Sequence, residues 1–138
     1  MTGLSKAERL SSRRALRASG MVHWIAGVGI AVVLPWELVA MAREGHPVNV
    51  FGLPALSGPF ERLGIDWVVG LGWGYVGLSL LEVLVGILVW RRRRVGAWLS
   101  VVLTAPAIVF WAGFALPLPP LVAALRLALL WAGRRALR

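Results

Sequence analysis

The chain has 138 residues, of which 59% are hydrophobic and only 15% charged, against roughly 45–50% and about 25% in soluble globular domains. A domain of this size cannot bury that much apolar surface from water, and disordered chains are poor in apolar residues, so both classes are excluded. With no cysteine, disulfides, thiolate metal sites, iron–sulfur clusters and cysteine nucleophiles are excluded too. The net charge of +9 does not point to nucleic acid, because a nucleic-acid partner needs aromatic interleaving or a soluble fold to present the charges. The basic residues instead flank apolar runs, which points to a membrane.

Residues 4–18 predict a short basic helix, part of a cytoplasmic N-terminal segment 1–19 set apart from the membrane domain 20–138. Ser5-Lys6-Ala7-Glu8 fits a capping box, in which Ser and Glu satisfy each other's free backbone N–H groups. Its arginines set topology, with adsorption to anionic lipid as the alternative. The first apolar run covers 20–42, broken by His23 and Glu37, with Pro35 expected to kink it. It exceeds the 7–15 apolar residues of a cleavable signal, so despite Ala40-Met41-Ala42 it reads as a retained signal-anchor.

The loop 43–66 carries glycine or proline at 45, 47, 52, 54, 58, 59 and 64, a spacing that predicts turns and short pieces. Val48, Val50, Phe51, Leu53, Leu56 and Phe60 are apolar enough to fold back over the outer mouth of a bundle. Here Glu37 is expected to find Arg43, His46 or Arg62. His46 also reads as a simple solvated loop residue.

The second run, 67–90, has Glu82 as its only charge past Asp66, and the GxxxG spacing of Gly70 and Gly74, extended by Gly77, suits close packing against the first helix or, alternatively, a homodimer. Arg91 to Arg94 read as a stop-transfer turn before the uncharged run 95–116. The fourth run, 121–133 within a span 119–133, carries Arg126 and follows Leu116-Pro117-Leu118-Pro119-Pro120, which predicts a tight turn dipping into the outer leaflet. A spanning helix needs about 20 residues. The first three runs meet this, and the fourth is read as spanning with a re-entrant segment as the alternative. The fold expected is all-α: an integral membrane four-helix bundle.

Twelve of the fifteen Lys and Arg residues fall at one end if both termini lie together: Lys6, Arg9, Arg13, Arg14, Arg17, Arg91 to Arg94, Arg134, Arg135 and Arg138. Cytoplasmic loops carry the excess of positive charge, so the expectation is N-in and C-in, in a bacterial cytoplasmic (inner) membrane. The eight tryptophans divide evenly between two interfaces, with Trp24, Trp90, Trp98 and Trp131 inside and Trp36, Trp67, Trp73 and Trp111 outside.

Ionisable residues within a span are expensive and face the bundle interior. Counting at about 1.5 Å per residue, Glu82 lies roughly 13 Å from Arg91 and Arg126 roughly 12 Å from Arg134, while His23 lies roughly 9 Å from Arg17. The matched depths predict a Glu82–Arg126 ion pair joining the second and fourth helices, either a static clasp or part of a site. Tyr75, Ser79, Glu82 and Gly86 recur at helical spacing on one face, as do His23, Gly27, Ile30, Leu34 and Glu37 on the first helix. Glu82, Arg126, His23, Tyr75 and Ser79 are therefore the candidate buried polar cluster. Glu37, Arg43, His46 and Arg62 are the candidate outer cluster. The two histidines fall on opposite sides, so no metal site and no cofactor is expected.

At Leu81-Glu82-Val83-Leu84-Val85-Gly86-Ile87-Leu88, with the basic turn and Val95-Gly96-Ala97-Trp98 after it, the chain resembles the DoxX-like family of small four-helix bacterial membrane proteins. The resemblance covers residues 67–105 and carries over only Glu82 and Gly86. Arg126 and the Pro-rich turn depart from the pattern. It implies association with membrane redox or sulfur-linked complexes.

The absence from the chain of a nucleophile–base pair, paired carboxylates at one depth or a phosphate loop favours a non-catalytic membrane protein. It would be an accessory subunit of another membrane protein, or a binder of a lipid or quinone. The alternatives are a small oligomeric proton-coupled transporter or channel that uses Glu82, and a lipid-modifying enzyme with the loop as its lid.

Overall fold

A computed structural model describes residues 5–46, 49, 50, 53, 54, 56 and 58–137. Among them the chain forms four α-helices: α1 (Lys6–Glu44), α2 (Ile65–Trp90), α3 (Arg94–Gly113) and α4 (Leu118–Gly133). Between α1 and α2 lie a two-residue antiparallel pair, β1 (Asn49–Val50) with β2 (Leu53–Pro54), and a 3-10 turn, Pro59–Leu63. A second 3-10 turn, Arg134–Ala136, follows α4. Helices α1, α2 and α3 are long and apolar enough to cross a membrane.

The N-terminal helix and the first span are one element. Helix α1 runs unbroken for 39 residues, about 58 Å at 1.5 Å per residue, so the helix read over 4–18 and the first span are continuous. The capping box forms as read: Glu8 N–H donates to Ser5 Oγ, and Ser5 N–H donates to the Glu8 carboxylate at 2.8 Å. That bond holds the Glu8 carboxyl below its ordinary range. Leu16 is fully buried against Val85, Val89 and Leu130, so the basic stretch is fastened to the bundle at its C-terminal end. Helix α1 also continues through Pro35.

Neighbouring helices are antiparallel, with α1 packed most extensively on α2, then on α4; α2 packs on α3, and α3 and α4 touch least. Helices α1 and α3, and α2 and α4, are thus diagonal pairs. The α1–α2 seam depends on glycine. A Cβ on Gly86 would lie 2.9 Å from the Gly20 carbonyl, and one on Gly27 would lie 2.7 Å from that of Ser79. The GxxxG glycines do not serve this seam: Gly70 and Gly77 face open space, and Gly74 faces Phe110 of α3.

Two tight turns connect the later helices. Arg92 (φ 61°) ends α2, with the Arg93 N–H bonded to the Leu88 carbonyl and that of Arg92 to Val89. Ala115 (φ 50°) repeats the pattern after α3. Both are Schellman closures with a side chain where glycine is usual. Pro119 and Pro120 then occupy the first turn of α4, where the missing N–H removes no helical bond. At that end Leu56 is buried with Leu38, Met41 and Phe114, and Phe60 stands edge-on to Phe114, ring centroids 5.0 Å apart. Val48 and Phe51, and the side chains of Val50 and Leu53, lie outside the described residues.

The polar residues facing the core recur at helical spacing. On α2 the buried stripe is Val68, Gly72, Tyr75, Ser79, Glu82, Gly86 and Val89. On α1 it runs from Leu16 through Gly20, His23 and Gly27 to Leu38 and Met41. The α1 stripe thus closes on Leu38, which turns the half-buried Glu37 off the interface.

Candidate functional site

Glu82 and Arg126 meet across the α2–α4 diagonal. Arg126 Nη1 lies 2.6 Å from Glu82 Oε1, with the two side chains 2% and 10% exposed. A lone charge there would cost several kcal/mol. In lipid no water stands by to satisfy it, so the remaining hydrogen-bonding capacity of the pair matters as much as its attraction.

One part of that capacity is met by Thr104 on α3. Arg126 Nη2 donates to Thr104 Oγ1 at 3.3 Å, and Thr104 Oγ1 donates to the Ser100 carbonyl at 2.8 Å. The other diagonal, α1 to α3, is bridged by His23. Its Nδ1 lies 2.9 Å from the Ser19 carbonyl, which can only accept, so in the neutral ring Nδ1 carries the hydrogen. Nε2 is then the acceptor for Ser100 Oγ at 2.8 Å. Ser19 Oγ closes the circuit by donating to the Arg126 carbonyl at 2.9 Å.

Arg126, Thr104, Ser100, His23 and Ser19 thus form a hydrogen-bonded ring through α1, α3 and α4, with Glu82 of α2 attached to it. Arg126 Nε is buried without a partner among the described residues. The ring fixes the relative register of all four helices, since sliding any helix by one turn moves its donor or acceptor about 5.4 Å away.

The five expected residues of the buried cluster are not one group. Glu82 and Arg126 pair directly, and His23 joins them through Ser19 and Ser100. Ser79 donates to the Tyr75 carbonyl of its own helix at 2.9 Å. Tyr75 points to a separate pair, its hydroxyl accepting from Trp111 Nε1 at 3.2 Å while its ring stacks on Phe110 at 5.3 Å. Trp111 is therefore a core residue, 7% exposed, and not the interface residue expected from its place near a helix end. The other seven tryptophans are exposed.

The outer cluster does not assemble. Glu37 forms no ion pair with Arg43, His46 or Arg62 among the described residues; Arg43 and Arg62 are exposed, and His46 Nε2 lies 3.6 Å from Glu44 at the surface. The reason is the rotation of α1 noted above, which aims Leu38 and not Glu37 at the bundle.

Ser19, Ser100 and Thr104 were not singled out in the sequence. The usable signal was depth: Ser100 lies six residues from Arg94, as His23 lies six from Arg17. That places both roughly 9 Å from the basic end.

Beside the ring, where α3 and α4 part, an apolar groove of about 580 Å³ opens to the side of the bundle. Its walls include Ile108, Trp111, Ala124 and Leu127, with Pro117 and Pro120 of the turn at one end. Thr104 is its one side-chain hydroxyl. Comparison with family models, curated proteins and solved structures finds no match to this chain.

Proposed function

We propose that this chain is a non-catalytic protein of a bacterial inner membrane, with both termini cytoplasmic and the 43–66 segment outside, that holds a hydrophobic small molecule such as a lipid or quinone between α3 and α4. The groove carries this reading. Its volume falls in the roughly 300–1,000 Å³ range of small-molecule sites, and an apolar wall with one polar group to orient the ligand is the usual composition of such sites. Thr104 gives its hydrogen to Ser100 and receives one from Arg126, so its remaining lone pair suits a ligand that donates, such as a lipid or quinol hydroxyl. Association with a membrane redox complex, as the DoxX-like resemblance implies, would fit a quinone-type ligand.

The transporter reading has less support. Glu82 is committed to Arg126, and it does not line this groove. Helix α4 has 16 residues, about 24 Å, and completes its crossing in this proposal with the Pro-rich turn sunk below the outer surface.

The full chain, extracted from native membranes in mild detergent, should carry a quinone or lipid enriched over the bulk membrane extract by mass spectrometry. Ala124→Phe, which fills the groove from an exposed position, should abolish the enrichment without lowering the melting temperature. Equal lipid profiles for both proteins, indistinguishable from bulk, would overturn the proposal.

A further inference from the structure

The groove between α3 and α4 has its one side-chain hydroxyl at the end away from the Pro-rich turn. Thr104 lies ten residues along α3 from Arg94, roughly 15 Å, or half of the about 30 Å of hydrocarbon in a bilayer. Exposed Trp90 and Trp131, under the guanidinium groups of Arg17 and Arg134 at 5.8 and 4.3 Å, mark the membrane–water interface at that end of the bundle. From Thr104 the groove runs past Ile108 and Ala112 to Pro117 and Pro120. Its hydroxyl therefore sits at mid-depth, and its apolar wall extends from there toward the turn.

That hydroxyl has one acceptor position left, since it donates to the Ser100 carbonyl and receives from Arg126 Nη2. Beside it is an unused donor. Arg126 is 2% exposed, and its Nε finds no partner among the described residues. In a planar guanidinium Nε and Nη2 share one edge and direct N–H bonds the same way, so the free N–H belongs to the edge that meets Thr104. A buried N–H left unpaired is destabilising, and in lipid no water relieves it.

We infer that the groove takes an uncharged lipid alcohol (a diacylglycerol, a prenyl alcohol or a quinol) with its hydroxyl against Thr104 and its chain along the apolar wall. A hydroxyl is the small group that both donates and accepts. Its hydrogen goes to Thr104 Oγ1, and its oxygen receives from the Arg126 edge. A carbonyl, ether or ester oxygen only accepts and offers Thr104 nothing. Charged groups are excluded on a different ground: Arg126 is already neutralised by Glu82 at 2.6 Å, and a further charge at mid-depth is expensive. The inference rests on the groove being the ligand site, as proposed above, and adds the chemistry that it selects.

The test uses the full chain in neutral detergent and matched ligand pairs: dioleoylglycerol, geranylgeraniol and a short-chain ubiquinol, each beside its methyl ether. Phosphatidylglycerol and phosphatidylcholine serve as competitors. Retention is read by native mass spectrometry and by the shift in melting temperature. One alcohol should be held about tenfold more tightly than its ether, the worth of about one hydrogen bond, and neither phospholipid should displace it. The pair that shows the preference identifies the source of the hydroxyl. Thr104→Ser should keep the preference, and Thr104→Val should reduce it to about twofold or less. Should the valine variant fail to fold, the ligand pairs on the wild type and on Thr104→Ser decide. Equal binding of every alcohol and its ether, or a phospholipid retained in the wild type and lost in Ala124→Phe, would overturn the inference while leaving the groove a lipid site. Retention of none of these ligands, with no native lipid lost in Ala124→Phe, would overturn both.

Discussion

At the scale of single residues, the central feature is a charge pair made tolerable by hydroxyls. Removing one partner leaves the other charged and buried. Glu82→Gln and Arg126→Met should therefore each destabilise the fold by about 3–5 kcal/mol, as breaking buried pairs does. The double variant Glu82→Met with Arg126→Met removes both charges and should recover most of that loss. Denaturation in detergent, followed by tryptophan fluorescence, reads all three. A double variant as damaged as the sum of the singles would mean the pair is not the linked unit described here. Counting from the basic helix ends was enough to bring Glu82 and Arg126 to one level, because a charge in lipid has few places to go. That counting reaches Ser100 but not Ser19 or Thr104. A serine or threonine in a helix has a default acceptor in the carbonyl four residues back, as Ser79 and Thr104 use, so its presence does not announce a second partner.

At the scale of elements, glycine position decides which helices touch. Gly86→Ala would press a methyl group against the Gly20 carbonyl and the His23 side chain, both 2.9 Å from the new carbon. Rigid backbone cannot yield there, and overpacking of this kind costs about 1–3 kcal/mol. Gly70→Ala meets nothing within 4 Å and should be neutral or stabilising by up to about 1 kcal/mol through helix propensity. Thermal melts of the two variants in one detergent make the comparison, and a reversed order would contradict the α1–α2 seam. In the sequence, Gly70 with Gly74 looked the stronger packing motif, since a spacing of four marks one helix face without saying which neighbour that face meets. The same limit applies to Glu37 and Leu38. They are adjacent in sequence but about 100° apart around the helix, and only the packing of α1 on α2 shows which one is inward.

At the scale of the whole molecule, the bundle has two unlike ends and one open flank. Leu56 and Phe60 are packed on one end, arginines crowd the other, and α3 and α4 part along one side. The proposed N-in, C-in orientation is directly testable because the chain has no native cysteine. Single cysteines at Ser11, Glu61 and Ala136 should divide by side. In intact spheroplasts a membrane-impermeant maleimide should label Glu61→Cys alone, and lysis should expose the other two. Labelling of Ser11→Cys before lysis would reverse the assignment.

The sequence by itself determined the helical class, three runs long enough to cross a bilayer, and the common level of Glu82 and Arg126. Each follows from a local property: the length of an apolar run, the position of charges at its ends, the rise per residue. The tertiary structure alone decided that His23 reaches Ser100 across one diagonal while Arg126 reaches Glu82 across the other, that Trp111 turns inward, and that arginines more than 120 positions apart share one cleft. Those depend on the rotation of each helix about its own axis and on which helices stand opposite. Both are set by close packing at a few glycines and by the path of two tight turns, quantities that no single stretch of chain contains.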